Sequence, residues 1–156
     1  MVSTARLALP SDLDGMLSLF AQSEVSAAVQ SREQAKHIWQ RTMASDSVAV
    51  FVVDVRGCLV ATCTLITAPN LLRGGQQHGF LENVVTHPNK RGLGYGRAVV
   101  RAALDHAWTC DCHHVLMQSG RTDPRVHSFY ESLGFLPGLR IGYVAMRPRD
   151  RVGRTL

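Results

Sequence analysis

No apolar run in this 156-residue chain approaches the roughly 20 residues that a bilayer-spanning helix needs, so no membrane partner is expected. The start, Met1-Val2-Ser3-Thr4-Ala5-Arg6, lacks a charged segment followed by a long apolar core. No secretory signal is therefore expected, and a cytoplasmic location follows. Aromatic residues are scarce, at 6%, and none interleave with a basic stripe. The net charge of +5 is thus a poor sign of nucleic-acid binding, the more so because Arg147, Arg149, Arg151 and Arg154 stand against Asp150 alone in the last ten residues. Cysteines number four, Cys58, Cys63, Cys110 and Cys112, and without a leader they read as reduced thiols. The cluster Cys110-Asp111-Cys112-His113-His114 matches no common zinc spacing, and no metal is expected. Repeats and low-complexity segments are missing too, which leaves one domain over 1–147 and a basic tail over 148–156.

What is present is a chain of short, well-punctuated elements. Arg6 to Leu9 reads as a strand, and Ser11 as the cap of a helix running through Met16, Leu17, Leu19 and Phe20 to about Ser23. Ser31-Arg32-Glu33-Gln34 has capping-box spacing and opens a second helix with Ala35, Ile38, Trp39, Thr42 and Met43 on one face. The period then changes. Val48 to Val55 and Cys58 to Ile66 are β-rich runs around Arg56-Gly57, a hairpin, and after a turn-rich stretch Phe80 to Thr86 resumes as a strand of the same antiparallel meander. Val99 to Trp108 has helical periodicity, Val115 to Gln118 is a short strand, and Asp123-Pro124 starts a helix with Val126, Phe129, Tyr130 and Leu133 inward that Gly134 stops. Arg140 to Met146 reads as a closing strand. The fold class is α+β, a mixed and largely antiparallel sheet flanked by helices.

Between the strand ending at Thr86 and the helix opening near Val99 lies Lys90-Arg91-Gly92-Leu93-Gly94-Tyr95-Gly96-Arg97. Glycines at alternate positions let successive N–H groups turn toward one point, and the new helix adds unpaired amides and the positive end of its dipole. A phosphorylated ligand belongs there. A dinucleotide fingerprint wants a third glycine where Arg97 stands, and a P-loop wants Gly-Lys-Ser/Thr, which is missing. The meander before the loop also argues against a first βαβ unit.

Arg91-Gly92-Leu93-Gly94-Tyr95-Gly96 satisfies the Q/R-x-x-G-x-G/A signature of the GNAT superfamily of acetyl-CoA-dependent N-acetyltransferases, which this chain resembles. Phe129-Tyr130-Glu131-Ser132-Leu133-Gly134-Phe135 looks like that family's F-Y-E-x-x-G-F ending of the fourth helix, and Glu82-Asn83-Val84-Val85-Thr86-His87-Pro88 like its fourth strand. The three pieces occur in the family's order, and the match covers Thr4 to Met146. One departure is Asp123, where many members carry asparagine; aspartate accepts a hydrogen bond but lacks the carboxamide donor.

The resemblance implies the GNAT fold and acetyl-CoA as cosubstrate. It implies that the amides of Gly92, Gly94, Gly96 and Arg97, in a loop that includes Tyr95, hold the pyrophosphate, with charge from Lys90, Arg91 and Arg97. It further implies backbone pairing of pantetheine with Val84, Val85 and Thr86, a contact at Asp123, and Tyr130 as the acid that protonates the leaving thiolate. Glu82, a charge within an apolar run, is the candidate base, with His78 and His87 as alternatives. The reaction is direct transfer to a primary amine, expected to be that of a small molecule. A protein or peptide acetyltransferase and a non-catalytic acyl-CoA-binding regulatory module stay open, as does a homodimer paired through the edge of the final strand.

Overall fold

The computed structural model describes residues 4–148, and the tail arginines Arg149, Arg151 and Arg154 lie outside the described residues. The chain divides into two compact units, Met1–Ser119 and Gly120–Leu156.

The first unit runs β1 (Arg6–Leu7), α1 (Leu13–Ala21), α2 (Arg32–Met43), β2 (Val48–Val55), β3 (Cys58–Ala68), β4 (Gln77–Thr86), α3 (Tyr95–Thr109) and β5 (Cys112–Met117). Its five strands lie in chain order, antiparallel from β1 to β4 and parallel between β4 and β5. The hairpin β2–β3 turns on Arg56 and Gly57, both at positive φ, and Asp54 Oδ1 accepts the Gly57 N–H at 2.7 Å. Two consecutive left-handed residues suit the twist of a two-residue hairpin loop.

The pleat sends alternate residues of the sheet into two layers. Val50, Val52 and Leu59 pack with Met16 of α1 and Trp39 of α2. Phe51, one residue out of phase, meets His106 of α3 edge-on at 5.6 Å, and the Cys63 thiol donates to the Val99 carbonyl of α3 at 3.2 Å. Val99, Val100, Ala103 and Ala107, the inward stripe of α3, are fully buried. Small alanines on this stripe let the helix axis approach the sheet closely.

Local signals hold where the chemistry is local. Ser31 caps α2 as expected, its hydroxyl accepting the Gln34 N–H at 3.2 Å. Ser11 does not cap α1: Pro10–Asp12 forms a 3₁₀ turn first, and Asp12 holds the N-cap position without a side-chain bond to the helix. Its carboxylate accepts the Leu9 N–H at 2.7 Å and a bidentate pair from the Arg6 guanidinium at 2.7 and 3.0 Å, which holds it below the ordinary carboxylate range. The charge-assisted fork commits this carboxylate to Arg6 of β1 and to its own turn rather than to the helix. All four cysteines are free thiols.

The second unit contains α4 (Pro124–Glu131), capped by Asp123, whose carboxylate accepts the Arg125 N–H at 2.9 Å. The helix closes as the Tyr130 carbonyl accepts N–H groups of Leu133 and Phe135, with Gly134 left-handed at φ 92°. Arg140 to Met146, expected as a closing strand, forms none, and Ile141, Tyr143 and Val144 stand exposed. A strand exists only through a partner ladder, and this unit holds no other strand among the described residues. The edge expected to pair in a homodimer is accordingly not formed as a strand.

Gly79 shows how closely β4 and β5 approach. A Cβ there would lie 2.9 Å from Val115 Cγ2 and 3.2 Å from the His114 carbonyl oxygen, and the latter is backbone of the neighbouring strand. Gly79→Ala should lower stability by about 1–3 kcal/mol, measured as a lower urea midpoint at unchanged slope.

Candidate active site

The parallel ladder between β4 and β5 begins at Gln77 and ends at Leu81, which faces Met117. Beyond Leu81, β4 continues to Thr86 with β3 on one side, and among the described residues no strand pairs with its other edge. Within that half the register slips. Thr64 faces Glu82 and Thr62 faces Val85, so the single residue Cys63 opposes both Asn83 and Val84. This is a β-bulge, and Asn83 sits in it at φ 50°. Asparagine is among the few residues that adopt this conformation without a large steric cost. The bulge bends the strand and re-aims the backbone groups around Val84.

The extra residue also sorts side chains. Glu82 and Val85 share the sheet face of Thr64, Thr62 and Val50, the face covered by α1 and α2; without the bulge Val85 would swap faces. Val85 is buried, Val84 and Thr86 half-buried, and Glu82 exposed. That exposure corrects the reason for choosing Glu82, which was a carboxylate buried in an apolar run. Its side chain reaches solvent, makes no ion pair among the described residues, and stands directly before the bulge.

β4 leads through His87 and a 3₁₀ turn, Pro88–Lys90, into the glycine loop. Gly92 and Gly94 have φ of 77° and 86°, and nothing lies within 4 Å of where a Cβ would stand on either. Conformation, rather than room, demands glycine at these two positions. Gly96, grouped with them on sequence, lies inside α3 as its second residue. Gly94 is the N-cap of α3 and has no side chain to accept a first-turn amide; its carbonyl takes the Ala98 N–H at 3.0 Å. The amides at the start of this 15-residue helix therefore face outward with the positive end of its dipole, and Lys90 and Arg91 are exposed beside them.

Asp123 and Tyr130 belong to the second unit. Both Asp123 oxygens engage Arg125, through Nε at 3.1 and 3.2 Å and Nη2 at 2.8 Å, so this carboxylate is committed to its own helix start. Tyr130 is half-buried, its ring edge-on to Phe129 at 5.0 Å and to Phe135 at 5.7 Å. Cys63, directly opposite the bulge, is no nucleophile: burial pushes its thiol up to about 12. Burial raises Cys112 as well, helped by the neighbouring charges of Cys110 and Asp111. Among the described residues no group of three or more His, Cys, Asp or Glu is placed to hold a metal, and no helix is long and apolar enough to cross a membrane. A cleft of about 580 Å³ lies elsewhere, between the start of α1 and α2, lined by Leu13, Trp39 and Met43.

An open strand edge, a bulge and a glycine loop at a helix start follow one another along the chain. The chain belongs to the GNAT acetyltransferase family, whose model matches residues 13–135, and it is an enzyme of that class. It is 30% identical over 125 residues to a glucosamine 6-phosphate N-acetyltransferase of Trypanosoma brucei brucei, a match covering 80% of this chain and 83% of that one. A solved structure from Agrobacterium tumefaciens, named only provisionally as an acetyltransferase, is 38% identical with a TM-score of 0.85, covering 92% and 99% of the two chains. The glucosamine-6-phosphate N-acetyltransferase of Arabidopsis thaliana, 23% identical with a TM-score of 0.76 over 94% and 97%, shares the fold. Acetyl-CoA is the donor used by this family.

The bulge escaped sequence reasoning, though asparagine beside two β-branched residues was a faint sign of it. Because Gly94 needs φ above zero while Gly96 is helical, the two should respond oppositely to alanine. Gly94→Ala should weaken acetyl-CoA binding by about tenfold in calorimetry, the cost of one left-handed alanine, whereas Gly96→Ala should raise the melting temperature.

Proposed function

We propose that the protein transfers the acetyl group of acetyl-CoA directly to the primary amine of a phosphorylated amino sugar of the glucosamine 6-phosphate class. The observation that carries the donor half is the unpaired edge of β4, which ends in a bulge and runs straight into the anion loop. The acceptor half is supported by the relative of 30% identity that acts on glucosamine 6-phosphate. Residues 1–147 work as one domain in this reading, supported by a family match that runs from 13 to 135.

In this mechanism the pantetheine amides pair with backbone groups of Val84, Val85 and Thr86, satisfying an edge that would otherwise be left to water. The pyrophosphate sits on the amides of Gly92, Gly94, Tyr95, Gly96 and Arg97, with charge from Lys90, Arg91 and Arg97. The amide at the bulge near Val84 polarises the thioester carbonyl, a role for which a fixed backbone dipole needs no reorganisation. Glu82, directly or through one water, takes a proton from the ammonium. The freed amine attacks the carbonyl carbon, the C–S bond breaks as Tyr130 donates its proton to the departing thiolate, and the resulting phenolate takes back the second proton that the nitrogen loses on becoming an amide. The cysteines take no part.

Thiol release from acetyl-CoA, followed with glucosamine 6-phosphate and with a set of peptide amines, tests the proposal. Turnover should be confined to the amino sugar phosphate. Tyr130→Phe and Glu82→Gln should each lower kcat by about 10²- to 10⁴-fold while acetyl-CoA affinity changes little. Acetylation of peptides alone would transfer the activity to the protein-substrate class, and acetyl-CoA binding without turnover on any amine would make the chain a regulatory module.

A further inference from the structure

A chain of hydrogen bonds joins α1 to the turn that precedes the glycine loop, and it runs through one imidazole. Gln22, the first residue after α1, donates from Nε2 to the Ser18 carbonyl at 3.1 Å and to the Ser18 hydroxyl at 2.7 Å. Its orientation is thereby set, and Oε1 is left facing His87, whose Nε2 lies 3.0 Å away. On the other side of the ring, His87 Nδ1 accepts the Asn89 N–H at 3.2 Å, capping the Pro88–Lys90 turn. A nitrogen that accepts an N–H carries no proton itself, so the neutral tautomer is Nε2–H, the form that donates to the Gln22 oxygen. Every polar atom of the ring is matched, across 65 residues of sequence.

One end of this link is the turn before the glycine loop, and the other is the end of α1, which with α2 covers the sheet face on which Glu82, the proposed base that receives the acceptor's proton, stands. His87 also accepts the Lys90 N–H on its backbone carbonyl at 2.8 Å, and Arg91 N–H bonds to Pro88, so the imidazole anchors the turn from which Gly92 emerges. Gln22 begins residues 22–31, which join α1 to α2 without regular structure, a length usual for binding loops rather than tight connections. We propose that His87 is a positioning residue, which ties the α1–α2 connection on the acceptor side to the cofactor loop so that the two are held as one body. This inference rests on the acetyltransferase reading above, and concerns how the acceptor is placed rather than how the donor is held.

The full chain carrying Gln22→Ala, His87→Asn, both changes, or Gln22→Glu tests it. Asparagine keeps an oxygen that caps the Asn89 N–H but cannot reach Gln22, and glutamate keeps the oxygen that accepts from Nε2. Each of the first two should raise KM for glucosamine 6-phosphate by about fivefold, the worth of one partly exposed hydrogen bond, with kcat and acetyl-CoA affinity within about twofold of wild type. The double variant should be no worse than either single one, and Gln22→Glu should restore the wild-type KM. Additive effects, or an equal loss in kcat and in stability, would overturn the proposal. Two readings need no activity at all: the His87 ring nitrogens should show the Nε2–H tautomer by NMR, and Gln22→Ala should speed amide exchange in 22–31 and 88–91 together. An Nδ1–H tautomer or unchanged exchange sinks the tether even in an active enzyme. An enzyme that fails to turn over glucosamine 6-phosphate while showing both signatures keeps the tether and loses the acceptor assignment.

Discussion

The arrangement of the site depends on where β5 leaves β4. The two strands are pressed together at Gly79 so closely that a methyl group has no place, yet their ladder ends at Leu81, two residues later. From that point β4 is held by β3 alone, and its outer backbone groups need partners that the described strands do not supply. Sheets ordinarily protect such an edge with charge, a helix or a short strand. Here the edge is open and twisted by a bulge, and it points the chain into a loop of outward amides. In the proposed reaction each departure from regular sheet structure has a counterpart in the donor: amides for the edge, a thioester for the bulge, a pyrophosphate for the loop.

The bulge also decides which face receives which chemistry. One inserted residue keeps Glu82 and Val85 on the face covered by α1 and α2, while Leu81, paired with Leu65, and Thr86, paired with Ala61, lie on the face covered by α3. The glycine loop grows out of the α3 side, since Gly94 is the cap of α3 itself. The glycine loop and the Glu82 carboxylate therefore approach the same short stretch of β4 from opposite faces, and the strand stands between them. Cys63 explains how the sheet tolerates this. A small buried side chain opposes the two bulged residues, and its thiol is anchored to the Val99 carbonyl in the α3 layer.

Signals that act over a few residues were legible in the amino-acid sequence. Ser31 with Gln34, the Arg56-Gly57 turn, the strand, loop and helix around Gly92 and Gly94, and the Gly134 stop all formed as read, because each is decided by local backbone chemistry. What was not legible depends on partners distant in the chain. Asn83 looks like any strand residue until β3 supplies one residue to oppose two. Glu82 reads as a charge set in an apolar run among Phe80, Leu81, Val84 and Val85, and its exposure shows only once the packing around β4 is known. Arg140 to Met146 has β-prone residues in Ile141, Tyr143 and Val144 and no strand, for want of a ladder. Ser11 falls inside the Pro10–Asp12 turn that forms ahead of α1, where Arg6 of β1 holds Asp12.

A glycine loop that binds phosphates faces a physical conflict, since the residue that permits the left-handed turns also gives the free chain the most freedom to lose on binding. Gly92 and Gly94 make no side-chain contacts that could order them, and their surroundings are open. Order must come from the residues on either side. On the far side it comes from α3, whose first intrahelical bond starts at Gly94 itself. On the near side it comes from the Pro88–Lys90 turn, with proline fixing one φ, the His87 carbonyl and Pro88 carbonyl taking the amides of Lys90 and Arg91, and the imidazole taking that of Asn89. The loop is thus a short flexible span between two pre-ordered supports, and its entropy is spent in folding rather than at the moment a donor arrives. The bond from His87 to Gln22 extends the near support into the α1 layer, so that the same ordering reaches the sheet face on which Glu82 stands.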